Sequence, residues 1–218
     1  MGGIYMDYKE QLVEAGKMML HSGLTVETWG NISLRDPETG LIYLTPSGMP
    51  YDTLVPEDVV VMDCDGNTVE GERKPTIEYL MHIGIMKNRQ DVNAIIHTHP
   101  VYSQVFALLH EDIPPVIDEA AQTFGESVRV SEYALPGSRE MAENVMKALG
   151  NNAACLIANH GAVCVGKNLN AAFKTCKVLE MVAQIYYMAR NIGEPKPISE
   201  ENIAAMRDFV LNHYGQGK

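Results

Sequence analysis

The chain has no long apolar run, no excess of basic residues and no closely spaced cysteine pair. No segment of its 218 residues could cross a bilayer, and the first residues do not resemble a basic-then-apolar signal peptide. Only 17 lysines and arginines stand against 28 aspartates and glutamates, which gives a formal net charge of −11. A surface of this sign repels nucleic acid and anionic lipid, so we expect neither nucleic acid nor a membrane as a partner.

The four cysteines give no sign of a disulfide framework or a zinc-binding cluster. They are Cys64, Cys155, Cys164 and Cys176, and no two of them form a C-x-x-C pair. Most have apolar neighbours, which is typical of buried thiols in a reducing compartment. We therefore expect a cytoplasmic protein.

Length and composition indicate one globular domain over residues 1–218. The chain can bury a full core, its hydrophobic content of 46% and charged content of 21% are ordinary, and it contains no linker or repeat. Predicted strands alternate with predicted helices, and several strand pairs form hairpins. This pattern predicts an α/β fold with a central, largely antiparallel sheet covered by helices.

Turn and cap signals give the approximate element bounds. Helices are predicted at 7–23, from Pro75 to about Lys87, after Pro100, from Ser138 to Leu149, at Asn170–Ile192 and from Ser199 to near His213. Strands are predicted after Gly30 and at 41–44, 59–63, 93–97, 155–158 and 162–165. The last two strands would form a hairpin with His160 at its tip.

Three histidines stand out as candidate metal ligands. His97 and His99 end an apolar strand, and residues two apart in a strand point to the same face. The predicted hairpin tip carries His160 beside a glycine that would allow close approach of the backbone. Three neutral imidazoles with one open position form a catalytic zinc-type site, although an H-x-H pair alone more often has no metal-binding role.

Glu78 is the candidate general acid or base beside the metal. The predicted helix places it in the first turn. A first-turn acid also simply favours the helix dipole, so the position alone decides nothing. His82 lies four residues further on the same helix face. It could orient Glu78 or be an ordinary partly buried histidine, and the sequence favours the second reading.

Loops rich in hydroxyl, amide and glycine groups supply a candidate anion pocket. They contain Thr28, Gly30, Asn31, the run Thr45-Pro46-Ser47-Gly48, and Thr76. Backbone N–H groups and hydroxyls in such loops cradle phosphates, and Thr76 near a helix N-terminus would add free N–H donors. Each piece is also common in ordinary turns.

The order of these motifs resembles the class II aldolase/adducin family. Gly30-Asn31-Ile32-Ser33, Thr45-Pro46-Ser47-Gly48, Glu78, His97-Thr98-His99 and Asn159-His160-Gly161 follow one another as in that family. The similarity runs from about residue 7 to the C-terminus. The spacing is most similar to members that cleave L-fuculose 1-phosphate.

The resemblance implies a three-layer α/β/α fold and a reaction. His97, His99 and His160 would bind one Zn²⁺ per subunit, or another divalent metal, and Glu78 would be the catalytic acid/base. A sugar phosphate would bind Thr28, Asn31, Ser47, Gly48 and Thr76, and Tyr214 would close the site. The implied reaction is reversible retro-aldol cleavage of a ketose 1-phosphate, such as L-fuculose 1-phosphate to dihydroxyacetone phosphate and L-lactaldehyde. The implied assembly is a homotetramer with sites at subunit interfaces.

Two positions depart from the family pattern. Ile77 stands where the second of two serines commonly lies, so one phosphate-binding hydroxyl is lost. Asp118 lies nearest the place of a tyrosine that a neighbouring subunit contributes, so proton transfer at the aldehyde end could differ.

Three alternatives remain open at this point. A ribulose-phosphate 4-epimerase of the superfamily typically has an aspartate where this chain has Glu78. A 5-deoxypentulose-phosphate or methylthioribulose-phosphate aldolase would differ only in the aldehyde. A non-catalytic, adducin-like interaction domain would keep the fold while losing the ligands, and the intact His97, His99, His160 and Glu78 argue against it.

Overall fold

The computed structural model describes residues 7–214. In this range the helices are α1 (Tyr8–His21), α2 (Tyr79–Asn88), α3 (Val101–Leu109), α4 (Asp118–Thr123), α5 (Arg139–Leu149), α6 (Leu169–Arg190) and α7 (Glu200–Asn212). The strands are β1 (Asn31–Arg35), β2 (Ile42–Leu44), β3 (Val60–Met62), β4 (Thr68–Glu70), β5 (Ala94–Thr98), β6 (Val130–Ser131), β7 (Ala154–Ile157) and β8 (Gly161–Gly166). Short 3-10 helices occupy Tyr51–Thr53 and Pro56–Asp58. None of the helices described here is long and apolar enough to span a membrane.

The strands described form one sheet in the order β4-β3-β2-β1-β5-β8-β7-β6. Neighbouring strands are antiparallel except β6 and β7, which run parallel. The start of β1 lies beside the end of β5, with Asn31 opposite His97. These two residues therefore share one edge and one face of the sheet.

Helices cover the sheet on both faces, and each face has its own apolar core. One core joins α1, α3, α4 and α6 to the sheet through residues such as Leu12, Phe106 and Leu179. The other joins α2 and α5 to the opposite face through residues such as Met81 and Val145. The predicted α/β architecture, with a largely antiparallel sheet between helical layers, is confirmed.

Most of the predicted elements are present, but the start of α2 was predicted wrongly. The sequence placed Pro75 in its first turn, whereas α2 begins at Tyr79 and Glu78 is its N-cap residue. Pro75 instead forms a bridge with Pro46, and the Thr76 N–H donates to the Thr45 carbonyl at 3.1 Å. These contacts hold Pro75 and Thr76 against the loop at 45–46, so this segment does not form the first turn of the helix. Helix α4 and the two-residue strand β6 were not predicted.

Candidate functional site

The three candidate histidines meet at the edge where β5 ends and the β7–β8 hairpin turns. One potential ligand atom from each of His97, His99 and His160 lies within 4.8 Å of the others. The Nε2 atoms of His97 and His99 are 2.9 Å apart, and the His160 ring centroid lies 4.8 Å and 4.9 Å from theirs. The prediction that His97 and His99 point to one face of the sheet is therefore confirmed.

Two glycines allow the strands to approach this closely. A Cβ added at Gly161 would lie 2.4 Å from the Thr98 carbonyl oxygen and 3.3 Å from the His97 and His99 rings. A Cβ at Gly30 would lie 2.6 Å from the His97 carbonyl oxygen, and Gly30 also has a φ of 75°. Both glycines are thus required by the close contact with the histidine-bearing segment.

The histidines are held neutral with lone pairs available. Burial lowers the pKa of His97 from 6.5 to about 4, and its Nδ1–H donates to the Ala162 carbonyl at 3.0 Å. Burial, and then the neighbouring histidines, lower the pKa of His99 to about 3 and that of His160 to about 4. Because Nδ1 of His97 carries the hydrogen, its Nε2 presents a lone pair to the cluster.

Glu78 reaches the same cluster from the N-cap position of α2. Its Oε2 lies 3.2 Å from the His97 Nε2 and accepts a 2.7 Å hydrogen bond from the Asn31 Nδ2. Its Oε1 lies 3.5 Å from the His160 Nε2 and has no hydrogen-bond partner in the part of the chain described. The side chain is buried, so this carboxylate forms part of the site floor.

These donors fit a divalent metal ion. Because His97 Nε2 carries no hydrogen, its 3.2 Å approach to the Glu78 Oε2 brings two acceptors together, while His99 Nε2 lies 2.9 Å away on the same lone pair. Glu78 Oε1 and His160 Nδ1 are also buried without partners among residues 7–214. A cation bound between three imidazoles would satisfy such a set of donors, and imidazole is a preferred ligand of Zn²⁺ and its neighbours in the periodic table.

A cavity of about 360 Å³ opens over the histidines and contains the six predicted phosphate-pocket residues. It is lined by Thr28, Trp29, Gly30, Asn31, Pro46, Ser47, Gly48, Thr76, Ile77, Glu78, His97, His99, Pro136 and His160. All six predicted pocket positions are in this lining. No lysine or arginine is among these described lining residues, so an anion here would meet neutral donors and the metal site.

The N–H donors of the pocket differ from those expected at one point. The Thr76 N–H, predicted to be free, donates to the Thr45 carbonyl, and the Thr76 hydroxyl accepts from the Glu78 N–H at 3.3 Å. The Ser47 N–H donates to the Lys74 carbonyl at 3.0 Å. The N–H groups of Gly48 and Ile77 have no acceptor in residues 7–214. Ile77 therefore lacks the family hydroxyl but still offers its own backbone donor.

Sequence reasoning missed Trp29 and favoured an ordinary role for His82. Trp29 is 58% exposed, lines the cavity and stacks on His99 with ring centroids 6.2 Å apart. Its position between Thr28 and Gly30 in the loop was the available signal. His82 is fully buried and contacts Ser33 and Asn31, so it belongs to the polar network behind Glu78.

Asp118 and Tyr214 are not brought to the cavity within the described protomer. Asp118 begins α4, and Tyr214 packs on Phe209 with ring centroids 6.2 Å apart. Neither is among the described residues that line the cavity. Their predicted roles therefore require a second copy of the chain.

Comparison with known proteins identifies relatives over nearly the whole chain. The family model described as Class II Aldolase and Adducin N-terminal domain matches residues 10–187. A 5-deoxy-D-ribulose 1-phosphate aldolase of Bacillus thuringiensis serovar kurstaki is 40% identical, over 96% of this chain and 97% of its own. An L-fuculose phosphate aldolase of Escherichia coli K12 is 34% identical over 90% of each chain. A solved structure named L-fuculose 1-phosphate aldolase superposes with a TM-score of 0.91 at 40% identity, covering 94% of this chain and 96% of that one.

Proposed function

The chain belongs to the class II aldolase and adducin family, and on that premise we propose that it cleaves a ketose 1-phosphate at the three-histidine site. The observation that carries this proposal is the convergence of His97, His99 and His160 with the Glu78 carboxylate on the floor of one cavity. The products would be dihydroxyacetone phosphate and a short aldehyde, and the reaction is reversible.

His97, His99 and His160 would hold the divalent metal, which we propose to be Zn²⁺ because all three ligands are neutral imidazoles. When bound, the ion supplies Lewis-acid stabilisation of the negative charge that develops on the ketone oxygen. The protein keeps the imidazoles neutral by burial, so they remain able to bind a cation near neutral pH.

Glu78 would move the proton at the reacting carbon. When the bond between C3 and C4 of the ketose breaks, its electron pair stays with the dihydroxyacetone phosphate fragment, which then takes a proton at C3. Asn31 holds Oε2 of Glu78, which leaves Oε1 as the oxygen with no partner in the described chain. Oε1 is therefore the atom that we assign to carry this proton.

The phosphate would bind away from the histidines, in the loops around Gly48 and Ile77. Their free N–H groups, with the hydroxyls of Ser47, Thr28 and Thr76, provide neutral donors for a dianion. The missing hydroxyl at position 77 removes one donor from this set. Because the described lining residues include no lysine or arginine, the metal would be the main positive charge near the substrate.

The aldehyde fragment would end in a methyl group. L-Fuculose 1-phosphate and 5-deoxy-D-ribulose 1-phosphate, named for the two relatives above, share the dihydroxyacetone phosphate half and both end in a methyl carbon. Trp29 is an exposed apolar side chain in the lining, at 58% exposure. Trp29, which stacks on His99 and lies outside the loops around Gly48 and Ile77, supports a substrate with an apolar end. The 40% identical relative makes the 5-deoxypentulose phosphate the second candidate beside L-fuculose 1-phosphate.

A homotetramer would complete the site. We propose that Asp118 and Tyr214 of a neighbouring copy reach the cavity, with Asp118 handling the proton on the C4 hydroxyl and Tyr214 closing the entrance. Light scattering on the purified protein tests this arrangement, because a monomer with full activity would remove both residues from the mechanism.

The test is release of dihydroxyacetone phosphate from each candidate, followed with a coupled reductase, with and without a chelator. We expect release that the chelator abolishes and added Zn²⁺ restores. His99→Ala should abolish it, whereas the exposed His21→Ala on α1 serves as a matched histidine control with unchanged activity.

Two outcomes would overturn the proposal. No release from either ketose phosphate by metal-replete protein would remove the aldolase assignment for these substrates. Interconversion of L-ribulose 5-phosphate and its 4-epimer, without net release, would favour the epimerase instead.

A further inference from the structure

A chain of buried polar side chains runs from the body of the fold to the carboxylate of Glu78. The Ser33 Oγ lies 2.6 Å from the His82 Nδ1, and the His82 Nε2 lies 2.6 Å from the Asn31 Oδ1. The Asn31 Nδ2 then donates to the Glu78 Oε2 at 2.7 Å. All four residues are buried, and they come from only two elements and one cap position, β1, α2 and the residue before α2.

The hydrogen bonds of this chain have one consistent direction while Glu78 is ionised. A carboxylate only accepts, so the Asn31 amide must present its NH₂ group to Glu78 and its carbonyl oxygen to His82. The His82 Nε2 must then carry a hydrogen, which makes Nδ1 of the neutral ring an acceptor. Ser33 is the donor to that nitrogen. Each link therefore donates towards Glu78.

The reverse direction would place two acceptors against each other. If His82 carried its hydrogen on Nδ1, Nε2 would accept from the Asn31 NH₂ group. The Asn31 carbonyl oxygen would then face the Glu78 Oε2 at a hydrogen-bond distance with no hydrogen between them. Leaving such buried groups unpaired is costly, so the tautomer of His82 determines which end of the Asn31 amide meets Glu78.

Glu78 needs this support because its own position gives little. It is the N-cap residue of α2 and makes no capping hydrogen bond with its side chain, so helix geometry does not fix its carboxylate. His82 lies one turn further along α2, packed within the helix and against β1. It thereby connects the reacting end of Glu78 to two rigid elements.

We propose that His82 is a positioning residue, which acts through Asn31 to hold the Glu78 carboxylate with Oε1 free beside His160. The inference rests on the proposed function, because it assigns His82 a part in the proton transfer made by Glu78. His82 is not among the described residues that line the cavity, and its ring nitrogens face Ser33 and Asn31.

The experiment compares His82→Leu with His82→Gln. Leucine removes the donor to Asn31, whereas the amide of glutamine replaces the Nε2–H. We expect His82→Leu to lower kcat about 10- to 100-fold, as removal of a residue that orients a site group does. Its bound metal should stay stoichiometric and its KM should stay within about twofold. His82→Gln should recover most of the kcat, and the buried Met81→Leu on the same helix is the packing control.

A second readout isolates the proton step. Exchange of solvent deuterium into dihydroxyacetone phosphate alone requires Glu78 but no aldehyde, so it should fall in His82→Leu by the same factor as kcat. Equal losses in the leucine and glutamine variants, or a change in KM alone, would overturn the positioning role. Unchanged kcat and exchange in folded, metal-replete His82→Leu would overturn it as well.

Ser33→Ala provides a second test of the proposal if His82→Leu does not fold. It leaves His82 in place but removes the donor that fixes its tautomer, and we expect kcat and exchange to fall about fivefold. No change in either would count against the proposal. Failure of the proposed function looks different, because the unmodified protein would then neither cleave a ketose 1-phosphate nor exchange the protons of dihydroxyacetone phosphate.

Discussion

Replacement of Gly161 by alanine tests whether strand spacing sets the metal site. Gly161 begins β8 directly after His160, and its partner across the hairpin is Ile157. Its φ is not in the left-handed region, so alanine is excluded there by space and not by backbone conformation. The methyl group would meet the Thr98 carbonyl oxygen, which lies between two of the three histidines.

The size of the effect follows from the distances. The new Cβ would lie 2.4 Å from that oxygen, whereas real Cβ contacts essentially never fall below 3.0 Å, so the backbones must separate by at least 0.6 Å. Metal–ligand distances tolerate only about 0.2 Å. A shift of this size moves His97 and His99 away from His160, and we expect metal affinity and turnover each to fall about 100-fold or more. Stability should fall by about 1–3 kcal/mol, as for other overpacked sites.

The assay is a competition titration of Zn²⁺ against a chromophoric chelator, with thermal unfolding of the metal-free protein beside it. Gly193→Ala is the matched control, because a Cβ there meets nothing within 4 Å and its φ is ordinary. Wild-type affinity and turnover in a folded Gly161→Ala variant would refute the reasoning, since the sheet would then have absorbed the methyl group without moving the ligands.

Three further predictions concern Glu78, the metal and acid stability. Glu78→Gln should keep its metal by elemental analysis and lose about 10²- to 10⁴-fold in turnover, and near-normal turnover would remove Glu78 from the mechanism. Zn²⁺ at about 100 times its Kd should stabilise the folded protein by about 2.7 kcal/mol, seen as a higher Tm that a chelator reverses, and His97→Ala should show no such response. Burial lowers the pKa of His82 from 6.5 to about 3, so between these pH values the unfolded chain binds a proton that the folded chain does not, and stability falls as the pH falls. In metal-free denaturant titrations, the free energy of unfolding of His82→Gln should fall less steeply with decreasing pH than that of the unmodified protein, by about 1.4 kcal/mol per pH unit. Equal slopes in the two proteins would contradict a neutral buried His82.

The sequence was informative wherever a local period determines geometry. His97 and His99 are two residues apart at the end of a strand, so their shared direction needed no knowledge of the fold. The β7–β8 hairpin was equally readable, because two apolar runs flank a short turn in which Asn159 adopts a φ of 54°. Caps at Ser138 and Ser199 also marked helix starts correctly, since each side chain accepts from the first-turn backbone.

Prediction failed where a distant segment competes with local preference. Pro75 is a good helix start, but its bridge to Pro46 and the bond from Thr76 to Thr45 delay α2 until Tyr79. The delay makes Glu78 a cap residue and lets its carboxylate turn towards the histidines. No single-sequence signal reports such a bond, because its partner lies some thirty residues away along the chain.

The same limit explains His82. Its place four residues after Glu78 puts it on the same helix face, but the sequence does not show that Asn31, from a different element, lies between the two side chains. Trp29 was overlooked because it lies in a loop beside a glycine, where no helix or strand periodicity shows which way a side chain points. The roles proposed for Asp118 and Tyr214 would depend on assembly between copies, which the pattern within one chain does not encode.

The register between β1 and β5 also bears on how such a protein can change over time. Asn31 and His97 are directly opposite each other, and Ser33 follows two residues later on the same face. Because side chains alternate between faces, insertion of a single residue between Asn31 and Ser33 would turn one of them into the opposite core. The turn between Asp36 and Gly40 lies at the other end of β1, where a change of length leaves this register intact. The register therefore tolerates a change of loop length at the end of β1 that carries Asp36, but not within the part that carries Asn31 and Ser33.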